Sequence, residues 1–170
     1  QQGCDRLIRR PAVSGVFALT RYTVSLSDLN RHLFEIECRI ENPDKQQSFS
    51  LPSWIPGSYL LREFARHIVD VRASSGGRPI NVEKIDKSTW RCDGAGDELT
   101  VTIAVYALDR SVRGAYLDGT RGFFNGTCLF LIPEGREADA ASVEIQAPGD
   151  ERAAGWRVAT AMTAADVDAR

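Results

Sequence analysis

An all-β fold, an antiparallel β-sandwich or layered sheet with at most a short helix near residues 59–67, is predicted by three features of this sequence. Apolar and polar residues alternate with the two-residue period of a half-buried strand. Turn signals rich in Gly, Pro, Asn and Asp punctuate the chain at intervals of roughly 8–12 residues, the spacing of strands in a sandwich or barrel. The strands follow one another without intervening helical stretches, so parallel βαβ units are not expected.

In chain order, residues 1–20 read as a poorly ordered lead-in: "QQGCDRLIRRPAVSG" holds no apolar core of signal-peptide length. Cys4 has no apolar run before it, as a lipoprotein attachment cysteine would need. A β domain is then expected over 21–160. Its first strand is "RYTVSLSDL". In the second, "HLFEIECRIE", Phe34, Ile36, Cys38 and Ile40 face inward and Glu35, Glu37, Arg39 and Glu41 outward. "QSFSLPSW", "HIVDVRAS", "PINVEKI" and "STWRC" follow as shorter strands. "ELTVTIAVYAL" repeats the clean alternation, with Leu99, Val101, Ile103 and Val105 on one face. "TCLFLIP" and "SVEIQAP" complete the set. "SSGGRP" and "DGAGDE" read as hairpin turns, and "ENPDKQ", "LDGTRG", "PEGRE" and "APGD" as further turns.

The 170 residues suit about one domain. Hydrophobic residues at 43% and charged residues at 26% are ordinary globular usage. Net charge is −2, from 21 basic and 23 acidic residues without a Lys/Arg run, which argues against nucleic acid as a partner. No apolar run approaches the roughly 20 residues of a membrane span, so no membrane partner is expected. The expected location is soluble, cytoplasmic or periplasmic, the compartment being open.

Chemistry is sparse. There is no HExxH, no GxSxG elbow and no metal-spaced Asp/Glu/His cluster. His32 and His67 read as surface or interface histidines rather than ligands. Cys38, Cys92 and Cys128 lie too far apart in sequence for a metal knuckle, and Cys38 and Cys128 read as small buried hydrophobes. Disulfides are not required in a chain of this size. Asn125-Gly-Thr fits a glycosylation sequon, which matters only in a eukaryotic secreted chain. Trp54, Trp90 and Trp156 are scattered and read as core or rim packing.

The unusual stretch is "LPSWIPGSYLLREFARHI", residues 51–68. Pro52 and Pro56 remove backbone donors and push Leu51 and Ile55 to extended geometry, which places them at a sheet edge or corner. Ile55-Pro56-Gly57-Ser58 suits a type II turn, with Gly57 at the positive-φ position. Taken alone, the stretch reads as a corner staple in which Trp54 and Tyr59 pack and Arg62 and Glu63 are solvated.

"LPSWIPGSYLLREFARHIVDVRA" closely resembles the signature of the N-terminal domain of the glycyl aminopeptidase family of zinc metallopeptidases. "KIDKSTWRC" resembles the family's Lys-x-x-Lys-x-x-Trp stretch, with Lys84, Lys87 and Trp90 in place. "VYALDRSVRGAYLDGTRGFFNGTCLFL" resembles its next block, and "GWRVATAM" the segment before the catalytic domain. The four blocks occur in order between Arg21 and Met162. The resemblance implies an all-β domain ahead of a thermolysin-like catalytic domain whose HExxH and further glutamate hold zinc. It implies enzymes that remove N-terminal glycine, and less readily alanine, from peptides.

No catalytic residue, zinc ligand or other cofactor is expected in this fragment, which alone is expected to be inactive. Residues 161–170 are expected to begin the linker to the catalytic domain. The implied partners are that domain, in the same polypeptide, and the peptide substrate. The site residues then expected at the cleft or the domain interface are Tyr59 as a flat wall, Arg62 as a docking ion pair and Glu63 as an ammonium acceptor. A second such set is Tyr116, Asp118 and Asn125. The alternative is a free-standing β-sandwich binding module for carbohydrate or protein, which would show a planar row of exposed aromatics or an acidic calcium-type cluster.

Overall fold

The computed structural model describes residues 19–146 and 149–163, so Cys4 and the expected linker beyond residue 163 lie outside the described residues. Among the described residues, twelve strands form two main sheets and a hairpin. One sheet has six strands. Its four longest are β1 (Leu19–Asp28), β2 (Leu33–Glu41), β4 (Ile68–Ser75) and β8 (Glu98–Tyr106), and its edges are β5 (Arg78–Ile80) and β12 (Ala140–Ile145). They lie in the order β12-β1-β2-β8-β4-β5. The second sheet has the order β11-β3-β7-β6, built from β3 (Gln46–Ser50), β6 (Val82–Lys84), β7 (Thr89–Asp93) and β11 (Ile132–Pro133). The hairpin pairs β9 (Ala115–Leu117) with β10 (Gly122–Phe124).

Alternation becomes a core through register. Val24, Ile36, Ile103 and Val71 stand opposite one another across β1, β2, β8 and β4. Cys38, Val101 and Ala73 form the next row. A one-residue slip would turn every one of these side chains to solvent, so the pattern specifies the pairing. The second sheet closes this face with Phe49, Trp90 and Cys92, all buried in one cluster with the first. Full burial of each such large side chain contributes about 1.5–3 kcal/mol. On the outer face, Arg21 pairs with Glu41, Arg39 with Glu98 and Arg72 with Glu35. These half-exposed pairs add little, about 0–1 kcal/mol each.

The structure departs from the sequence reading at four places. β12 runs parallel to β1. "PINVEKI" divides at Asn81, with β5 in the six-stranded sheet and β6 in the four-stranded one, so this stretch crosses between layers. "DGAGDE" also crosses, from β7 to β8 in the other sheet, and is not a hairpin turn; "SSGGRP" is one, with Gly76 and Gly77 both at positive φ. "TCLFLIP" keeps only two strand residues. Asn125 caps a 3₁₀ turn at Gly126–Cys128, and Leu129 and Leu131 are nonetheless buried. The helical element expected near 59–67 is a 3₁₀ turn at Phe64–His67.

Candidate functional site

The corner forms as the prolines and Gly57 dictate. Gly57 has φ 80°, and the Ser58 N–H donates to the Ile55 carbonyl at 3.2 Å, closing the type II turn. Leu51 and Ile55 are buried beneath it. Ser58 is the hub, and only 8% exposed. Its hydroxyl donates to the Leu60 carbonyl and accepts from the Leu60 N–H and from Arg62 Nε, at 3.2, 3.3 and 3.2 Å. One donor and two acceptors are all that a hydroxyl has. The Ser58 carbonyl accepts from Trp54 Nε1 at 2.6 Å, and the Arg62 N–H closes the loop on the Ser53 carbonyl at 2.7 Å.

This scaffold turns apolar side chains outward. Tyr59 is fully exposed, Leu60 is 65% exposed, Leu61 71% and Trp54 50%. The staple reading, with Trp54 and Tyr59 packed, therefore does not describe the corner, because the Ser58 network holds the backbone so that they point away. Trp90 does lie in the core, and Trp156 is half-buried against it. Glu63 adopts a left-handed backbone, φ 43° and ψ 54°, a conformation that costs a non-glycine residue of order 1 kcal/mol. Its Oε1 accepts from Lys87 Nζ at 2.5 Å, and that ammonium holds the carboxyl below the usual carboxylate range. Arg62 and Glu63 thus have different partners.

The second set of residues lies across a shared contact. The Phe64–His67 turn packs against the Gly126–Cys128 turn, and Phe64, His67, Asp109, Gly114 and Cys128 line a small pocket there. Tyr116 is buried and donates to Asp118 Oδ2 at 2.6 Å. Asp118 Oδ1 accepts from the Thr120 N–H and hydroxyl, both at 2.7 Å, and from the Arg121 N–H. Those donors, the Thr120 hydroxyl first, hold its carboxyl well below the usual range. Asn125 Oδ1 accepts from the Thr127 N–H and hydroxyl. Each of the three side chains therefore has a partner within its own loop.

The histidines and cysteines are likewise engaged. His32, at φ 59°, donates from Nδ1 to the Leu117 carbonyl at 2.5 Å. His67 Nε2 accepts from Arg66 Nε, and burial, then Arg66, pushes its pKa down. Cys38, Cys92 and Cys128 are free thiols, pushed up by burial to about 12, 11 and 11. They stay protonated near neutral pH and are neither nucleophiles nor ready metal ligands. Among the described residues no group of three or more His, Cys, Asp or Glu is placed to hold a metal ion, so no chemical step is assigned through zinc in this domain. No helix among them is long and apolar enough to cross a membrane.

The family model described as the peptidase M61 N-terminal domain matches residues 21–170. The chain belongs to the peptidase M61 family. The M61 domain is also similar to a solved structure described as an aminopeptidase N family protein from Idiomarina loihiensis, at 41% identity with a TM-score of 0.75. That likeness covers 76% of this chain and 22% of the other, so the M61 domain corresponds to about a fifth of that protein. No curated protein matches the chain. Sequence reasoning about this M61 domain missed Ser58. A serine after Pro-Gly is an ordinary turn residue, and nothing local announces that its hydroxyl organises the loop.

Proposed function

We propose that this is the non-catalytic N-terminal domain of a zinc metalloaminopeptidase, docked on a catalytic domain of the same polypeptide and walling its cleft. The enzyme removes N-terminal glycine, and alanine less readily, from peptides. The observation that carries the docking role is the corner itself. Four large apolar side chains, Trp54, Tyr59, Leu60 and Leu61, project from eight consecutive residues on a hydrogen-bonded frame. A contiguous exposed apolar patch on an ordered frame marks an interaction surface. M61 membership and the 41% identity to an aminopeptidase N family protein support the choice of enzyme.

An aminopeptidase requires a wall behind the first substrate residue and an acceptor for its α-ammonium. Tyr59 supplies a flat exposed face. Glu63 supplies Oε2, since Lys87 occupies only Oε1. Arg62, held by Ser58 and close enough to Asp109 to add to the lowering of its pKa that the Ser111 N–H chiefly causes, sets the angle at which the corner meets its partner.

Two experiments on the full-length enzyme separate docking from substrate contact. The Leu60→Ser/Leu61→Ser variant is expected to split one calorimetric unfolding transition into two, because each leucine contributes about 1.5–3 kcal/mol when covered. A single unsplit transition would place the docked face elsewhere. Glu63→Ala is expected to lower kcat/KM on a glycyl substrate roughly 10–100-fold, the range for one hydrogen bond to a charged group. An unchanged kcat/KM removes Glu63 from ammonium binding and leaves docking intact.

A further inference from the structure

Arginines are distributed unevenly over this molecule. Arg21, Arg39, Arg72 and Arg91, on the sheets, are paired with carboxylates. Arg78, on a sheet edge, Arg136, which donates to the Glu41 and Asn42 carbonyls, and Arg157 form no ion pair among the described residues. Neither do six more, Arg31, Arg62, Arg66, Arg110, Arg113 and Arg121, all but Arg62 exposed. These six come from four separate segments, yet the fold brings them to one end of the sandwich. Leu33 and Ile68 both stand at the end of β8, opposite Tyr106 and Val105. That places the segments carrying Arg31 and Arg66 at the same end of the sheet, flanking β8. The same strand end continues through Ala107, whose N–H donates to the His32 carbonyl, into the loop carrying Arg110 and Arg113. Leu108 then bridges to Tyr116, and the guanidinium carbons of Arg110 and Arg121 lie 5.7 and 5.2 Å from the Tyr116 ring centroid.

Carboxylates are present at this end but engaged. Asp28 accepts from the Asn30 and Arg31 N–H groups, Asp109 from Ser111 N–H, and Asp118 from its own loop. Glu63 pairs with Lys87 and Asp70 with Arg72. The unpaired guanidiniums stand among exposed apolar groups: Tyr59, Leu60 and Leu61 at the corner, then Val69, Tyr106, Leu108 and Val112. Arginine beside aromatic and aliphatic side chains is the composition of protein interfaces, because a guanidinium is weakly hydrated and tolerates being covered. The similar solved chain has most of its length beyond the portion that this domain matches, which is enough for a partner domain.

Resting on the docking role proposed above, we infer that the face covering this end is acidic: a surface of the catalytic domain whose carboxylates meet Arg31, Arg66, Arg110 and Arg113 around an apolar centre contacting Tyr59, Leu60 and Leu61. Complementary charge of this kind fixes the orientation of the two surfaces and disfavours wrong partners.

Hydrogen exchange in the full-length protein tests this, followed at residues 59–62 and 110–113. Raising salt from about 0.1 M to about 1 M cuts the screening length from roughly 10 Å to roughly 3 Å. Exchange at both segments is expected to quicken about fivefold or more over that range. Arg31→Glu/Arg113→Glu should reproduce the fast exchange at low salt with no remaining salt response. Arg31→Lys/Arg113→Lys should behave as wild type, and Arg31→Gln/Arg113→Gln, which adds no repulsion, should fall between. Circular dichroism checks that each variant is folded. Slow exchange that ignores both salt and charge reversal would overturn the acidic face while leaving docking in place. Fast exchange in the wild type at low salt, with Leu60→Ser/Leu61→Ser equally without effect, would overturn docking and this inference together. Binding of a single-stranded oligonucleotide by the wild type, lost in the charge-reversal variant, would also overturn it, by showing an open polyanion surface.

Discussion

Gly114→Ala is expected to destabilise the domain by about 2–4 kcal/mol, read as a lowered urea midpoint with an unchanged slope. A Cβ built on Gly114 would lie 2.5 Å from both Cγ and Oδ2 of Asp109 and 2.6 Å from its Cβ. Neither side can retreat. The Asp109 N–H donates to the Ala115 carbonyl at 2.9 Å, the Gly114 N–H to the Ser111 carbonyl and the Asn125 N–H to the Gly114 carbonyl. The Asp109 carboxylate is itself held by the Ser111 N–H at 2.8 Å. Gly114 is therefore selected for the space beside its Cα. The natural control is Gly155, where an added Cβ meets nothing within 4 Å, and Gly155→Ala should change stability by no more than about 0.5 kcal/mol. Equal effects at the two positions would remove the steric account.

The second large effect is expected at Ser58. Ser58→Ala deletes one hydroxyl that makes three hydrogen bonds and leaves the Leu60 N–H and carbonyl without that partner. At about 0.5–1.5 kcal/mol for each net bond, the domain should lose roughly 2–3 kcal/mol. Because the loss is local, most of it should appear as opening of the loop before global unfolding. In the full-length enzyme, the loosened corner should lower kcat/KM on a glycyl substrate about 10–100-fold, because a positioned wall acts through its geometry. Ser58→Thr keeps the hydroxyl and should recover most of both effects. A Ser58→Ala enzyme with undiminished kcat/KM would show that the corner's order has no bearing on activity, whatever its effect on stability.

Much of the fold was legible before any coordinates. Period-2 alternation in 33–41 and 98–106 identified the two central strands and their inward residues, because a sheet with one buried face imposes that pattern on each strand independently. The type II turn at 55–58 was equally legible, since Pro56 and Gly57 each carry a backbone constraint that acts within a few atoms. Less legible were the stretches whose state depends on a distant neighbour. "AYLDGTRGFF" forms a hairpin rather than a turn alone because it extends β8 through the Leu108–Tyr116 bridge. "PINVEKI" splits because its two halves meet different sheets.

The candidate site divides along the same line. Local sequence determined that 51–63 would be a rigid, proline-braced corner leaving the sheet, and its pattern determined the family. Only the tertiary structure decided which way the corner's side chains face: Leu51 and Ile55 are buried in the core while Tyr59 is left outward, and the local Ser58 contacts with Leu60 and Arg62 then hold the loop in that pose. A chain of net charge −2 with no basic run displays no arginine surface when read residue by residue. The sheet order β2-β8-β4 gathers Arg31, Arg66 and Arg110 at one end, because strand pairing brings together residues that are far apart in the chain.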